Sequence, residues 1–134
     1  VIRAGTILWT AGVSATPLTK KLGVELDKAG RVKVNPDNSL PARPEVFAIG
    51  DMAILMQENG KPVPGVSPAA MQEGRHVAKI IEDEIDLGPG RVPRTPFKYW
   101  DKGTMATIGR SKAVAEGGRF KFSGLFAWLT WLPV

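Results

Sequence analysis

The residues best suited to chemistry are Gly50 and Asp51, at the end of Glu45-Val46-Phe47-Ala48-Ile49. An ionised Asp accepts hydrogen bonds and donates none, which suits the hydroxyls of a sugar or polyol. A glycine just before it lets a backbone or a ring approach closely. The apolar run Val46–Ile49 reads as a strand covered on both faces, as in a parallel sheet. That would put Asp51 at the carboxyl end of a strand, where open α/β sheets bind ligands. An ordinary strand followed by an Asp turn accounts for the same residues.

The other titratable groups offer less. His76 has no partner in motif spacing and reads as a packing or surface residue. Glu82-Asp83-Glu84 with Asp86 reads as a solvated helix end, so no metal site is expected. Ser14 and Ser111 lack a nucleophile context. Lys98 and Lys102 beside Tyr99 and Trp100 are a weak nucleic-acid signal, and no nucleic-acid partner is expected. With no cysteine there is no disulfide framework, thiolate metal site or redox-active thiol pair.

The elements that would position these residues follow from local pattern. Ala4–Trp9 reads as a strand, followed by a small-residue turn, Thr10-Ala11-Gly12. Thr16 caps a short helix that begins with Pro17 and ends at Gly23. Val24-Glu25-Leu26 and Arg31–Val34 flank Asp27–Gly30 as a hairpin. Residues 35–44, with three prolines, read as a surface connection.

Ser67 as N-cap and Pro68 as first residue open a helix with Ala70, Gly74, Val77, Ala78, Ile81 and Ile85 on one apolar face. Glu73 falls mainly outside that face. The small residues Ala69, Ala70 and Gly74 admit a flat ligand, or simply a packed strand. Residues 87–96, with Gly88-Pro89-Gly90 and Pro93, read as a linker. Phe97–Trp100, Met105–Ile108, Ala113–Glu116 and Arg119–Phe122 are strand-like. Ser123 caps a last helical segment carrying Leu125, Trp128, Leu129 and Leu132 on one stripe.

Length suits one modest core. The chain starts without Met, enters apolar sequence at once and ends on Trp131-Leu132-Pro133-Val134, so a piece of a longer protein is expected. Residues 1–90 carry a net charge of −1 and residues 91–134 a net charge of +6. A basic block of this kind attracts anionic lipid or nucleic acid. No secretory signal is visible, and no apolar run reaches the roughly 18 residues that span a bilayer. Leu125, Phe126, Trp128, Leu129, Trp131 and Leu132 instead suit a helix lying in the membrane interface. A helix closing a core or a dimer contact is the alternative.

The order of motifs resembles the closing third of a flavoprotein with two dinucleotide-binding domains. More narrowly, it resembles the type II NADH:quinone oxidoreductases. The strings that carry the likeness are Ile7-Leu8-Trp9-Thr10-Ala11-Gly12-Val13, Val46-Phe47-Ala48-Ile49-Gly50-Asp51, Pro68-Ala69-Ala70-Met71-Gln72-Glu73-Gly74, Asp101-Lys102-Gly103-Thr104-Met105-Ala106-Thr107-Ile108-Gly109 and Phe122–Leu129.

The resemblance implies an α/β fold: the last part of an FAD domain over 1–86, with the exit from the NADH domain at about 1–12. A linker at 87–96 and the start of a small α+β carboxy-terminal domain at 97–134 would follow. It implies that Asp51 grips the ribityl chain of FAD, with Gly50 and Ala70 beside the cofactor and Ala11 and Gly12 at the domain exit. Met71, Gln72, Lys102 and Gly103 would lie near the quinone. Leu125, Trp128, Leu129, Trp131 and Leu132 would face the membrane.

NADH would be the substrate, quinone the acceptor and a homodimer the assembly, peripheral on the cytoplasmic side of the cell membrane. Many members carry Gln where Pro68 stands. No Gly-x-Gly-x-x-Gly fingerprint occurs. The isolated chain is therefore expected to bind FAD weakly or not at all and to lack NADH oxidation. A flavoprotein reductase with a soluble acceptor, and a basic lipid- or nucleic-acid-binding module, are the alternatives.

Overall fold

Pro17 fixes its own φ and lacks only a donor that a helix's first turn leaves unpaired. In the computed structural model, Pro17–Leu22 forms a 3-10 helix, capped by Thr16 and closed by Gly23 in the left-handed conformation (φ +67°). The model describes residues 2–9, 12–101, 103–117 and 120–131, without the side chains at 120, 130 and 131. It divides into two units, Val1–Tyr99 and Trp100–Val134. The division falls just beyond the expected linker.

In the first unit the turn at Asp27–Gly30 forms as its residues suggest. Asp27 Oδ1 accepts from the amides of Ala29 (2.9 Å) and Arg31 (2.8 Å), and Gly30 takes φ +79°. Leu26 bridges Val32 in antiparallel fashion. Lys33 Nζ reaches Glu25 across this hairpin. Strand β1 (Val32–Lys33) pairs in parallel with β4 (Ala53–Ile54). Strand β2 (Ser39–Leu40) pairs antiparallel with β3 (Arg43–Phe47). Val32, Leu40, Ala48 and Ala53 form the buried core, with Leu22, Val24, Leu26, Val34, Val46 and Met52 packed on it.

Three expectations change here. The run through Val46–Ile49 is not a parallel strand covered on both faces. Its first half belongs to β3, an antiparallel hairpin strand whose residues are exposed or half-buried, and only Ala48 is buried. The partner is the nearest stretch of chain, which a short loop closes at low entropic cost.

Residues 35–44 are not merely a surface connection. Asp37 folds back to accept from the Ser39 hydroxyl (2.7 Å) and amide (3.2 Å), and Asn38, Ser39 and Leu40 are buried. Ala4–Trp9 forms no strand, and Ile7, Leu8 and Trp9 are all more than four-fifths exposed. A strand needs a neighbour for its N–H and C=O groups, and none of the described residues pairs with this one.

Helix α1 (Ser67–Leu87) begins one residue earlier than expected: Val66 is the N-cap, and no side chain caps the first turn. Its buried face is Ala69, Glu73, Val77 and Ile80. The expected apolar face shares only Val77 with it, and Ala78, Ile81 and Ile85 are exposed. After the helix, the Phe97 amide donates to Pro36 O (2.7 Å) and the Phe97 side chain is buried, so residues 94–97 belong to this unit. Phe97 also meets the His76 ring at 5.5 Å, giving His76 its packing role.

The second unit is an antiparallel meander followed by a helix. Strands β5 (Thr104–Ile108), β6 (Lys112–Gly117) and β7 (Phe120–Gly124) pair in that order. Glu116 stands opposite Lys121, and their side chains pair at 2.9 Å. Gly124 (φ +82°) turns β7 directly into α2 (Leu125–Trp131). Ala113 and Ala127 are buried where α2 meets β6. Phe97–Trp100, which reads as strand-like, forms no strand.

Candidate functional site

Gly50 opens a 3-10 turn, Gly50–Met52, that packs against the start of α1. Its φ of +62° is a conformation that favours glycine. A Cβ placed there would stand 3.3 Å from Ala70 Cβ, tighter than ordinary contact. The turn and the helix can therefore meet this closely only with glycine at 50 and a small residue at 70.

Where they meet lies a cavity of about 70 Å³, with Arg31, Gly50, Asp51, Gly65, Ala70 and Glu73 among its walls. Asp51 itself is exposed. Gly65 lies beside it, and a Cβ there would meet Asp51 Oδ1 at an ordinary 3.7 Å. The first turn of α1 ends on the same cavity without a side-chain cap.

Beneath the turn is a group that the sequence reading set aside. Glu73 is only 4% exposed, and its Oε2 accepts the Gly50 amide at 2.6 Å. Burial pushes its pKa up; the Gly50 hydrogen bond and the Asn38 amide oppose that without cancelling it. Asn38, fully buried and at φ +65°, lies near enough to favour the carboxylate, yet neither Oδ1 nor Nδ2 makes a well-formed hydrogen bond. The signal was available in the spacing. Ala69, Glu73 and Val77 recur every four residues, so an acid there interrupts a helix's inner face.

The cavity can be tested against a flavin. Its volume holds roughly two or three waters' worth of atoms, whereas a ring system needs a pocket of about 300 Å³ or more. An acceptor-only carboxylate at its edge and glycines at 50 and 65 match a hydroxylated arm. The residues present therefore fit the polyol portion of the cofactor, and the cavity does not enclose its ring.

The other sequence-derived candidates are distributed as follows. Gly12 is exposed at φ +106°, and its neighbour Val13 reaches the cavity wall; Ala11 lies outside the described residues. Met71 is exposed and Gln72 half-buried on α1. Lys102 and Leu132 lie outside the described residues, as does the side chain of Trp131.

Gly103 takes φ +101°, and a Cβ there would collide with the backbone of Glu116 and Gly117, so its glycine has a structural cause. On α2, Leu125, Phe126 and Leu129 are exposed and Trp128 is half-buried, leaving an apolar outer face. Among the described residues no helix is long and apolar enough to cross a membrane. Nor does any group of three or more His, Cys, Asp or Glu among them assemble as a metal site.

Comparison with known proteins gives the family and the fold. The family profile described as pyridine nucleotide-disulphide oxidoreductase matches residues 1–74, ending one residue past Glu73. The type II NADH:quinone oxidoreductase Ndh of Mycobacterium tuberculosis is 47% identical over 98% of this chain, which corresponds to 28% of that protein. NdhA of the same organism is 42% identical over 93% of the chain and 27% of its own length. The chain thus spans little more than a quarter of the curated relatives it matches. A solved FAD-dependent pyridine nucleotide-disulphide oxidoreductase from Desulfovibrio vulgaris superposes with a TM-score of 0.58. It is 23% identical, over 79% of this chain and 25% of its own, and supports the fold.

Proposed function

The chain belongs to the pyridine nucleotide-disulphide oxidoreductase family, as a homologue of the type II NADH:quinone oxidoreductases. From that premise we propose that it supplies the flavin-arm site and the acceptor-side segments of an NADH:quinone oxidoreductase. The observation that carries this reading is the Gly50–Asp51 turn closing on Ala70 around a small cavity edged by a carboxylate.

In the complete protein, FAD would supply hydride acceptance and onward transfer of electrons. The residues of this chain bind and orient it. Asp51 accepts hydrogen bonds from the polyol hydroxyls, and Gly50 lets the cofactor lie against the turn. The uncapped first turn of α1 adds about half a positive charge at the cavity, which favours negative charge nearby. Met71 and Gln72, on the helix that carries Ala70, fall on the acceptor side.

The apolar face of α2 and the basic excess after residue 90 support peripheral docking on an anionic membrane.

The decisive experiment is Asp51→Asn in the complete protein, with flavin content and affinity as readouts. FAD affinity falls about tenfold or more when the charge-assisted acceptor is lost; unchanged affinity overturns the reading. The isolated 134-residue chain, titrated with FAD, gives no stoichiometric binding and no NADH oxidation.

A further inference from the structure

We propose that Glu73 is a positioning residue of the flavin-arm site, holding the Gly50–Asp51 turn by its hydrogen bond to the Gly50 amide and setting the charge beside the cavity. The inference rests on the reading of Asp51 just given and adds a second carboxylate to it.

Three observations carry it. Glu73 Oε2 sits 2.6 Å from Gly50 N, across 23 residues of sequence, so the contact ties the helix to the turn that presents Asp51. Glu73 is almost fully buried yet lines the cavity, so its charge is felt there with little screening by water. No cation pairs with it among the described residues. Arg31, the cationic group on the cavity wall, is held by Asp27 at 2.7 Å. Asp51 is the other acid facing the cavity. Asp37, next to Asn38, is taken up by Arg94.

A side chain that only filled the volume would leave the Gly50 amide without its acceptor. An acid here costs desolvation, and the Gly50 hydrogen bond recovers only part of it. What the acid adds is an acceptor for Gly50 and a charge that depends on pH. A negative charge beside the cavity disfavours further negative charge on a bound flavin. Its neutralisation therefore raises the flavin's midpoint potential.

The test compares the complete protein with its Glu73→Gln and Glu73→Ala variants. Glutamine keeps the volume and an oxygen acceptor for Gly50 but removes the charge; alanine removes both. FAD affinity falls about tenfold in E73A, as expected for a lost charge-assisted hydrogen bond, and stays within about threefold of wild type in E73Q. The midpoint potential of E73Q lies above that of wild type at alkaline pH and converges with it as pH falls and Glu73 takes up its proton.

Wild-type FAD affinity in E73A overturns the proposal. So do coincident potentials of E73Q and wild type at every pH, which would leave Glu73 a structural residue. Should E73A fail to fold, the potentials of the volume-conserving E73Q decide. D51N measured alongside separates the two readings: full affinity there sinks the flavin-arm site itself, whatever Glu73 does.

Discussion

Two corners of the first unit each bury a carboxylate, and they treat it in opposite ways. At the Arg94 corner, Asp37 and Glu84 share one guanidinium, at 3.2 Å and 2.7 Å. Arg94 also donates to Pro44 O at 2.7 Å and lies 4.9 Å over the Phe47 ring. Burial works against the charge on Asp37, but hydrogen bonds from Ser39 and Arg94 outweigh it and hold its pKa below the ordinary range.

At the cavity corner, Glu73 has one backbone donor and an imperfect amide neighbour, and its pKa is held up. Satisfied charge of the first kind is structure. Charge left short of partners beside an opening makes a candidate site.

The contrast can be broken most forcefully at Arg94. Arg94→Ala strands two partly buried acids and costs about 3 kcal/mol, read by urea denaturation of the complete protein. Arg94→Lys recovers less than half, since a point charge cannot fork between two acids and a carbonyl. A loss under about 1 kcal/mol would make this corner no different from a surface ion pair.

Gly50→Ala is next, at about 1–2 kcal/mol for a left-handed β-carbon pressed on Ala70. It also weakens FAD binding, whereas R94A at equal residual folding does not.

The acid limb of stability sharpens the comparison further. Asp27 is held below its ordinary range in the same manner as Asp37, with hydrogen bonds from Arg31 and Ala29 exceeding the cost of burial. Groups depressed on folding contribute stability that is present above about pH 4 and lost as pH falls through their folded pKa. Asp37→Asn reduces that dependence.

Glu73 has the opposite sign. Its folded pKa is raised, so its contribution is full below the unfolded value of about 4.3 and declines as pH rises through the folded one. E73Q removes this decline. Denaturation midpoints across a pH series resolve it.

What could be read from sequence divides along the range of the interaction. The Thr16–Pro17 start, the Gly23 stop and the Asp27–Gly30 turn are written in residues within a few positions of one another, and all three form. Gly50 was legible as the end of the apolar run, and it takes the left-handed conformation that glycine favours.

The pairing of β3 was not, because apolarity alone does not choose between a parallel neighbour and an adjacent hairpin. The face of α1 was misjudged for a related reason. Ile81 and Ile85 are as apolar as Val77 and Ile80, and tertiary packing rather than local pattern decides which pair is covered. Glu73 was set aside for being charged, though a lone acid on an inner face is the informative exception.

The clasp made by Arg94 also bears on how the polypeptide tolerates cleavage. Gly88-Pro89-Gly90 is a glycine-rich bend between α1 and that arginine, an obvious opening for a protease. The residue just downstream of the bend is bound to Asp37, Pro44 and Glu84, and Phe97 is hydrogen-bonded to Pro36. A nick there would yield two fragments on a denaturing gel that still travel together through a sizing column.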